Sequence, residues 1–428
     1  MSRYRCECGS LVWDQARLGW AGRLPPTGGV PGAVPDPPAV IGESAERWRA
    51  VRRVLTAHRY ELGRVAARLY PEVPRAASAD LLCREEWVRA EPLRLDDLSL
   101  HWDDGGPGQQ GDSGSPDGRA GTERYAKASL GVRPARPDGA RYRTYTEAVA
   151  ALDRPALFEN RPCYRLLGAR LTPPAGLRLA ETSYFEGIDL GHAVAHELAA
   201  AWQRSGDAVR MADLPLRSLA GDPCALPRRQ SLIAVTTLTL RRDAAGAASF
   251  VLHWRDPAKV NHGGGLYQVM PVGLFQPVTT VAAALRHDLS LWKSMAREYS
   301  EEFLGTSEDY QTSGGLLDYD RWPFYRRLTG AMRAGRLTVH CLGLGVDPLS
   351  FATDLLAVAV FDADLFDAEF AGLVARNAEG RVITGGGSAG IPFTADTIAR
   401  LTGGKEPFQA AGAALLRLAW EHRKHLLG

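Results

Sequence analysis

The apolar positions of this chain follow two rhythms. Between Glu43 and Tyr70, Trp48, Val51, Leu55, Leu62, Val65 and Leu69 recur at helical steps, which predicts one helix with a single buried face. Pro71 ends it, because proline has no amide hydrogen to give a helix interior. The same rhythm returns over 187–204, with Leu190, Val194, Leu198 and Trp202 inward. It returns again over 287–305, with Leu291, Met295, Tyr299 and Phe303 inward. Asp288 or Ser290 caps that last helix and Gly305 closes it. A short helix at 144–152 is capped by Thr144 or Thr146.

The second rhythm belongs to strands. Leu93, Leu95, Leu98, Leu100 and Trp102 alternate or nearly so, predicting one or two short strands. The run 231–242 is β-branched and apolar, a buried strand. A second strand over 248–256 carries Arg255 near its end, and 266–277 reads as strand, Pro-x-Gly turn, strand. Strand-like pieces at 170–185 are broken by Pro173 and Pro174.

Two stretches have neither rhythm. Residues 1–42 are rich in proline and glycine, and 103–124 hold no run fit for a core, so an irregular arm and a solvated linker are expected. The remaining divisions are 43–102, an Arg-rich helix with short strands, then 125–230, a smaller α+β region packing on the last part, and 231–428. With 45% hydrophobic and 23% charged residues, the 428-residue chain has ordinary globular composition. Its 51 basic against 49 acidic residues leave a charge of +2, too balanced for a surface built wholly to hold polyanions. The arginines on the outer face of the Arg47–Arg68 helix offer nucleic acid a local patch, although arginine equally solvates a helix surface. No apolar run approaches a membrane span, and no apolar stretch follows the first residues, so a soluble, cytoplasmic protein is expected. Cys6 and Cys8 lack a second pair at zinc-ribbon distance. His192 and His196 lie four apart on one helix face, but Ala193 stands where a zincin carries glutamate.

The densest chemistry sits on the helix 287–305. Glu298, Glu301 and Glu302 are spaced i, i+3, i+4, which puts three carboxylates on one face of a regular helix. Like charges that close need a cation or an arginine, and Mg²⁺ or Mn²⁺ suits carboxylate oxygen together with substrate phosphates. Arg297 is adjacent. Arg255, Lys259 and His262 flank the glycine loop 263–265, where they are placed to hold phosphates.

The run Arg297–Gly305, "REYSEEFLG", resembles the core of the Nudix box with one residue added before the glycine. The order of elements agrees, with "MPVGLFQP" standing where that family carries its glycine turn. The stretches 336–346 and 354–362 look like the later strands, and 390–403 and 411–427 like the closing helices. The resemblance spans about 231–425 and implies a Nudix-like α/β/α sandwich on a mixed sheet, preceded by the smaller α+β region. It implies that Glu301 and Glu302 ligate Mg²⁺ (or Mn²⁺), that Glu298 is a ligand or orients water, and that Arg297 holds the glutamates. Gly273 and Gln276 fall in the substrate-facing turn, with Gln276 where the family has glutamate; Asp288, Asp362, Asp364 and Asp367 are the acids placed to stand in for it by order in the fold. The implied activity is hydrolysis of a nucleoside diphosphate-linked substrate by water attacking phosphorus. More broadly, 43–428 resembles actinobacterial proteins labelled transcriptional regulators, with about forty Pro/Gly-rich residues where many of those carry a helix-turn-helix module. The rival expectation is therefore a regulatory protein that senses a nucleotide-like ligand without cleaving it, as a monomer or a homodimer.

Overall fold

The computed structural model describes residues 4–5, 11–12, 38–103, 125, 127–156, 158–256, 264–306, 312–313, 315–377, 380–384 and 390–428. The chain divides into two compact units, Met1–Pro35 and Asp36–Gly428. In the first, Tyr4–Arg5 pairs antiparallel with Leu11–Val12. The rest of the arm up to residue 37, and the linker apart from its first residue, fall outside the described residues. The second unit is continuous across the divisions expected near residues 102 and 230.

That unit is an α/β protein on a mixed sheet. The strand Thr353–Asp362 runs parallel to Ile233–Arg242, in register from Thr353 beside Ile233 to Asp362 beside Arg242. Leu337–Val346 pairs antiparallel with the first of these, and Val88–Arg94 adds to its far side. The outer edge of Ile233–Arg242 is shared by Val272–Leu274 and Ala248–Phe250. Thr353–Asp362 is buried at every position but the last, as a strand covered on both faces must be. The pleat decides which helices cover which face. Thr239 points toward the helix Leu291–Glu298 and its continuation, its hydroxyl 2.8 Å from Tyr299 Oη. Leu240, one residue on, pairs with Phe250, whose ring meets Phe393, which in turn meets Trp420 of the helix Ala410–Glu421. Helices therefore lie on both faces. A smaller sheet orders Tyr267–Val269, Leu252–Arg255 and Gly380–Ile383, and a third pairs Pro162–Arg170, Gly176–Ser183 and Ser99–Trp102.

The apolar stripes lie where periodicity puts them. Trp48, Leu55, Leu62 and Val65 are buried, as are Leu291, Met295, Tyr299 and Phe303. Three expectations need correction. The first helix begins at Pro38, inside the expected irregular arm, since proline is tolerated in a first turn. It stops at Ala57, and a second helix, Arg59–Arg68, starts beyond the non-helical His58. The glutamate helix is α-helical only to Glu298; Tyr299–Phe303 form a π turn. Such a turn absorbs one extra residue, and it falls on the residues where the motif is one longer than the pattern it resembles. Ser290 is the cap, accepting the Lys293 amide, and Thr144 caps the helix Tyr145–Leu152.

Candidate functional site

The π turn governs how the glutamates are used. Two of them sit against consecutive residues of one strand. Glu302 Oε1 accepts the Val272 N–H at 2.9 Å, and its Oε2 lies 4.0 Å from His253 Nδ1. Glu298 lies flat against Gly273: a Cβ there would stand 1.9 Å from Glu298 Oε1. A side chain at 273 would therefore displace the Glu298 carboxylate from the strand. Glu302 is 5% exposed, whereas Glu301 is half-buried. Among the described residues no group of three or more His, Cys, Asp or Glu comes together in a way that holds a metal ion. Glu298, Glu301 and Glu302 do not make up such a group among the described residues. A π turn has more residues per turn than an α-helix, so the i, i+3, i+4 rule that places three carboxylates on one face no longer applies across it.

Arg297 is buried. It donates to Tyr319 Oη and to the Gln276 carbonyl, each at 2.6 Å, and stands 3.8 Å from Asp288 Oδ2. Tyr319 Oη donates to Asp288 Oδ1, and Asp288 Oδ2 accepts the Val278 N–H. Burial works against the Arg297 charge, but Tyr319, Asp288 and Glu298 together hold its pKa above the ordinary value. Arg297 thus locks the strand that carries Gly273 and Gln276 onto the helix, rather than simply bracing the glutamates. Gln276 is half-buried, its side-chain oxygen 3.6 Å from Cys163 Sγ.

Arg255 is buried at the end of its strand, two residues beyond His253 and so on the same face. Its charge reaches Asp354, which sequence reasoning missed, and Arg59, one of the arginines of the Arg47–Arg68 run. Asp354 is buried, accepts the Thr236 hydroxyl at 2.7 Å, and has its pKa pushed up to about 7 by burial; Asp347 adds to the rise and Arg255 opposes it. Burial pulls Arg59 below its ordinary value; Asp347 opposes that, while Arg255 and Arg52 add to it. The one signal that pointed to Asp354 is a lone acid at the head of an otherwise apolar run. Lys259 and His262 lie outside the described residues.

The other candidates have structural employment. Asp362, Asp364 and Asp367 pair with Arg242, Arg336 and Arg241. Along the arginine-rich helices, Arg49 donates to the Leu152 carbonyl, Arg52 pairs with Asp153, and Arg68 pairs with Asp207. Those guanidiniums tie the helices to neighbouring segments. His196 shares a hydrogen bond with Tyr145 Oη at 3.0 Å and stacks on Trp48, and burial lowers its pKa to about 3. Trp254 and Tyr267 meet edge to face, with ring centroids 4.9 Å apart. Among the described residues, no helix is long and apolar enough to cross a membrane.

No protein-family model matches this chain, and no curated protein matches it.

Proposed function

We propose that this chain is a Nudix-like regulatory protein that binds a nucleotide-like ligand without hydrolysing it. One observation carries the reading: Glu302 is built into the strand, its carboxylate accepting the Val272 N–H from a site 5% exposed. That bond commits Oε1 to holding the π turn against the strand, and it favours a structural use of Glu302 over a metal-ligating one. Arg255, Gln276 and the Gly273 strand remain as the ligand-facing set.

The test is dialysis of the full chain against ADP-ribose, with and without Mg²⁺, beside an assay for released nucleoside monophosphate. Binding without turnover is the expected result, and Glu302→Gln keeps it. The amide oxygen still accepts the Val272 N–H, so stability falls by no more than about 1 kcal/mol. Absence of binding across a panel of nucleoside diphosphate derivatives sinks the reading.

A metal-dependent hydrolase is the second reading, favoured by Glu298 and Glu302 lying on adjacent residues of one strand. Mg²⁺ or Mn²⁺ bound there would polarise the phosphorus and lower the pKa of a bound water. Under that reading the wild type releases nucleoside monophosphate only with Mg²⁺, and Glu301→Gln and Glu302→Gln each abolish release while the chain stays folded.

A further inference from the structure

The small sheet of Tyr267–Val269, Leu252–Arg255 and Gly380–Ile383 has two unlike faces. On one, His253 stands between Gln268 and Val382, and all three are buried. That face turns toward the helix Ala410–Glu421, where a Cβ at Gly412 would stand 2.0 Å from Gln268 Oε1. The pleat sends the neighbouring position of each strand to the other side. There Trp254 stands between Tyr267 and Arg381. Single bridges extend this row at both ends, Phe408 beside Tyr267 and Arg376 opposite Arg381. The row therefore runs straight across the backbone as Phe408, Tyr267, Trp254, Arg381 and Arg376, aromatic rings first and guanidiniums after them. At about 4.8 Å per strand it is about 20 Å long. Phe408 is buried and backs Tyr267, their ring planes 29° apart. Tyr267 and Trp254 are half-buried, and Arg381 and Arg376 are exposed. Among the described residues neither of these arginine side chains makes an ion pair.

We propose that this row is a platform for single-stranded nucleic acid. Two successive bases lie on Trp254 and Tyr267, and the backbone phosphates meet Arg381 and Arg376. Rings held on a sheet surface offer a stacking face to any base, provided that the base is not already stacked in a duplex. The planar guanidinium fork matches phosphate oxygens. An open row suits a strand better than a lone nucleotide, which a concave pocket holds. The platform lies on the opposite face of its strand from His253 and Arg255, so it is independent of the ligand-facing set proposed above and stands whether or not that set binds a nucleotide.

The test is fluorescence anisotropy of a labelled oligodeoxythymidine of about ten nucleotides with the full chain, repeated across a salt series. The strand binds, and a duplex of the same length binds about tenfold more weakly or not at all. Trp254→Leu keeps an apolar side chain at a half-buried position but removes the stacking face, and it weakens the strand about tenfold. Arg381→Gln and Arg376→Gln, at exposed positions, each weaken it and flatten the fall of log affinity with log salt by about 0.7. Arg381→Lys restores the slope, because it restores the charge. Adenosine monophosphate binds more weakly than the strand, since it offers one base and one phosphate. No binding by the wild type at low salt, duplex held as tightly as the single strand, or an affinity unmoved by Trp254→Leu overturns the proposal. Adenosine monophosphate held as tightly as the strand overturns it too, by making the row a nucleotide site. If Trp254→Leu fails to fold, the salt slopes of Arg381→Gln and Arg376→Gln decide alone, and unchanged slopes overturn the proposal.

Discussion

Replacing Asp354 by asparagine will make the native chain more stable than wild type at about pH 8 and leave the two similar at about pH 4. Asp354 is buried and accepts the Thr236 hydroxyl, and burial lifts its pKa from 3.8 to about 7. The folded carboxyl keeps its proton where the unfolded one has lost it. Its contribution is therefore complete below about pH 4 and is lost as pH rises through about 7. A difference of that size corresponds to about 4 kcal/mol at most. Asparagine is near in shape, stays neutral, and still accepts from Thr236. Urea midpoints of both proteins across this range check the claim, since the variant-minus-wild-type difference must grow with pH. Parallel curves would show that Asp354 ionises as an ordinary carboxylate. The comparison has to be differential because His196 tilts the curve the other way. Its pKa is lowered to about 3, so the stability it contributes is present above about pH 6.5 and lost as pH falls through about 3.

Truncating Arg217 to alanine will cost about 3–5 kcal/mol, the range for leaving a buried charge network incomplete. Arg217 is 0% exposed. Its guanidinium donates to the Pro348 carbonyl at 2.6 Å, the Leu349 carbonyl at 2.8 Å and the Val194 carbonyl at 3.3 Å. The ring of Phe351 lies 5.0 Å beneath it. Its own amide and that of Leu216 are capped by Glu197, which loses its nearby cation in the variant. Lysine will rescue little, because one ammonium cannot span carbonyls on two segments as the fork does. Denaturant unfolding at neutral pH measures the loss, with an unchanged slope showing that the same surface is exposed. A cost below about 1 kcal/mol would mean that the loop 348–351 relaxes onto other partners.

These two residues differ in how visible they are in the sequence. Arg217 sits in a short segment with no apolar period, and two of the three carbonyls it holds lie more than a hundred residues on, at 348–349. Composition says only that a buried arginine is unusual. Asp354 stands out locally, but its hydroxyl partner lies on another strand, 118 residues away in the chain. The glutamate helix is intermediate. Its buried stripe, Leu291, Met295, Tyr299 and Phe303, follows from spacing alone, and its Ser290 cap was one of two local candidates. The use of its carboxylates does not follow from spacing, because the face they share depends on whether the turn is α or π.

The chain's local order is what the sequence determined: where the helices and the long strands lie, which side of each is apolar, and that the whole is α/β. Those properties depend on periods of about 3.6 and 2 residues, which are written within a dozen neighbours. Tertiary structure alone decided that Val88–Arg94 joins the far side of the main sheet, that Glu302 accepts the Val272 N–H, and that a cavity forms between residues 59–64 and 401–413. Each of these depends on a partner brought in from a distant part of the chain, whose identity no local pattern encodes.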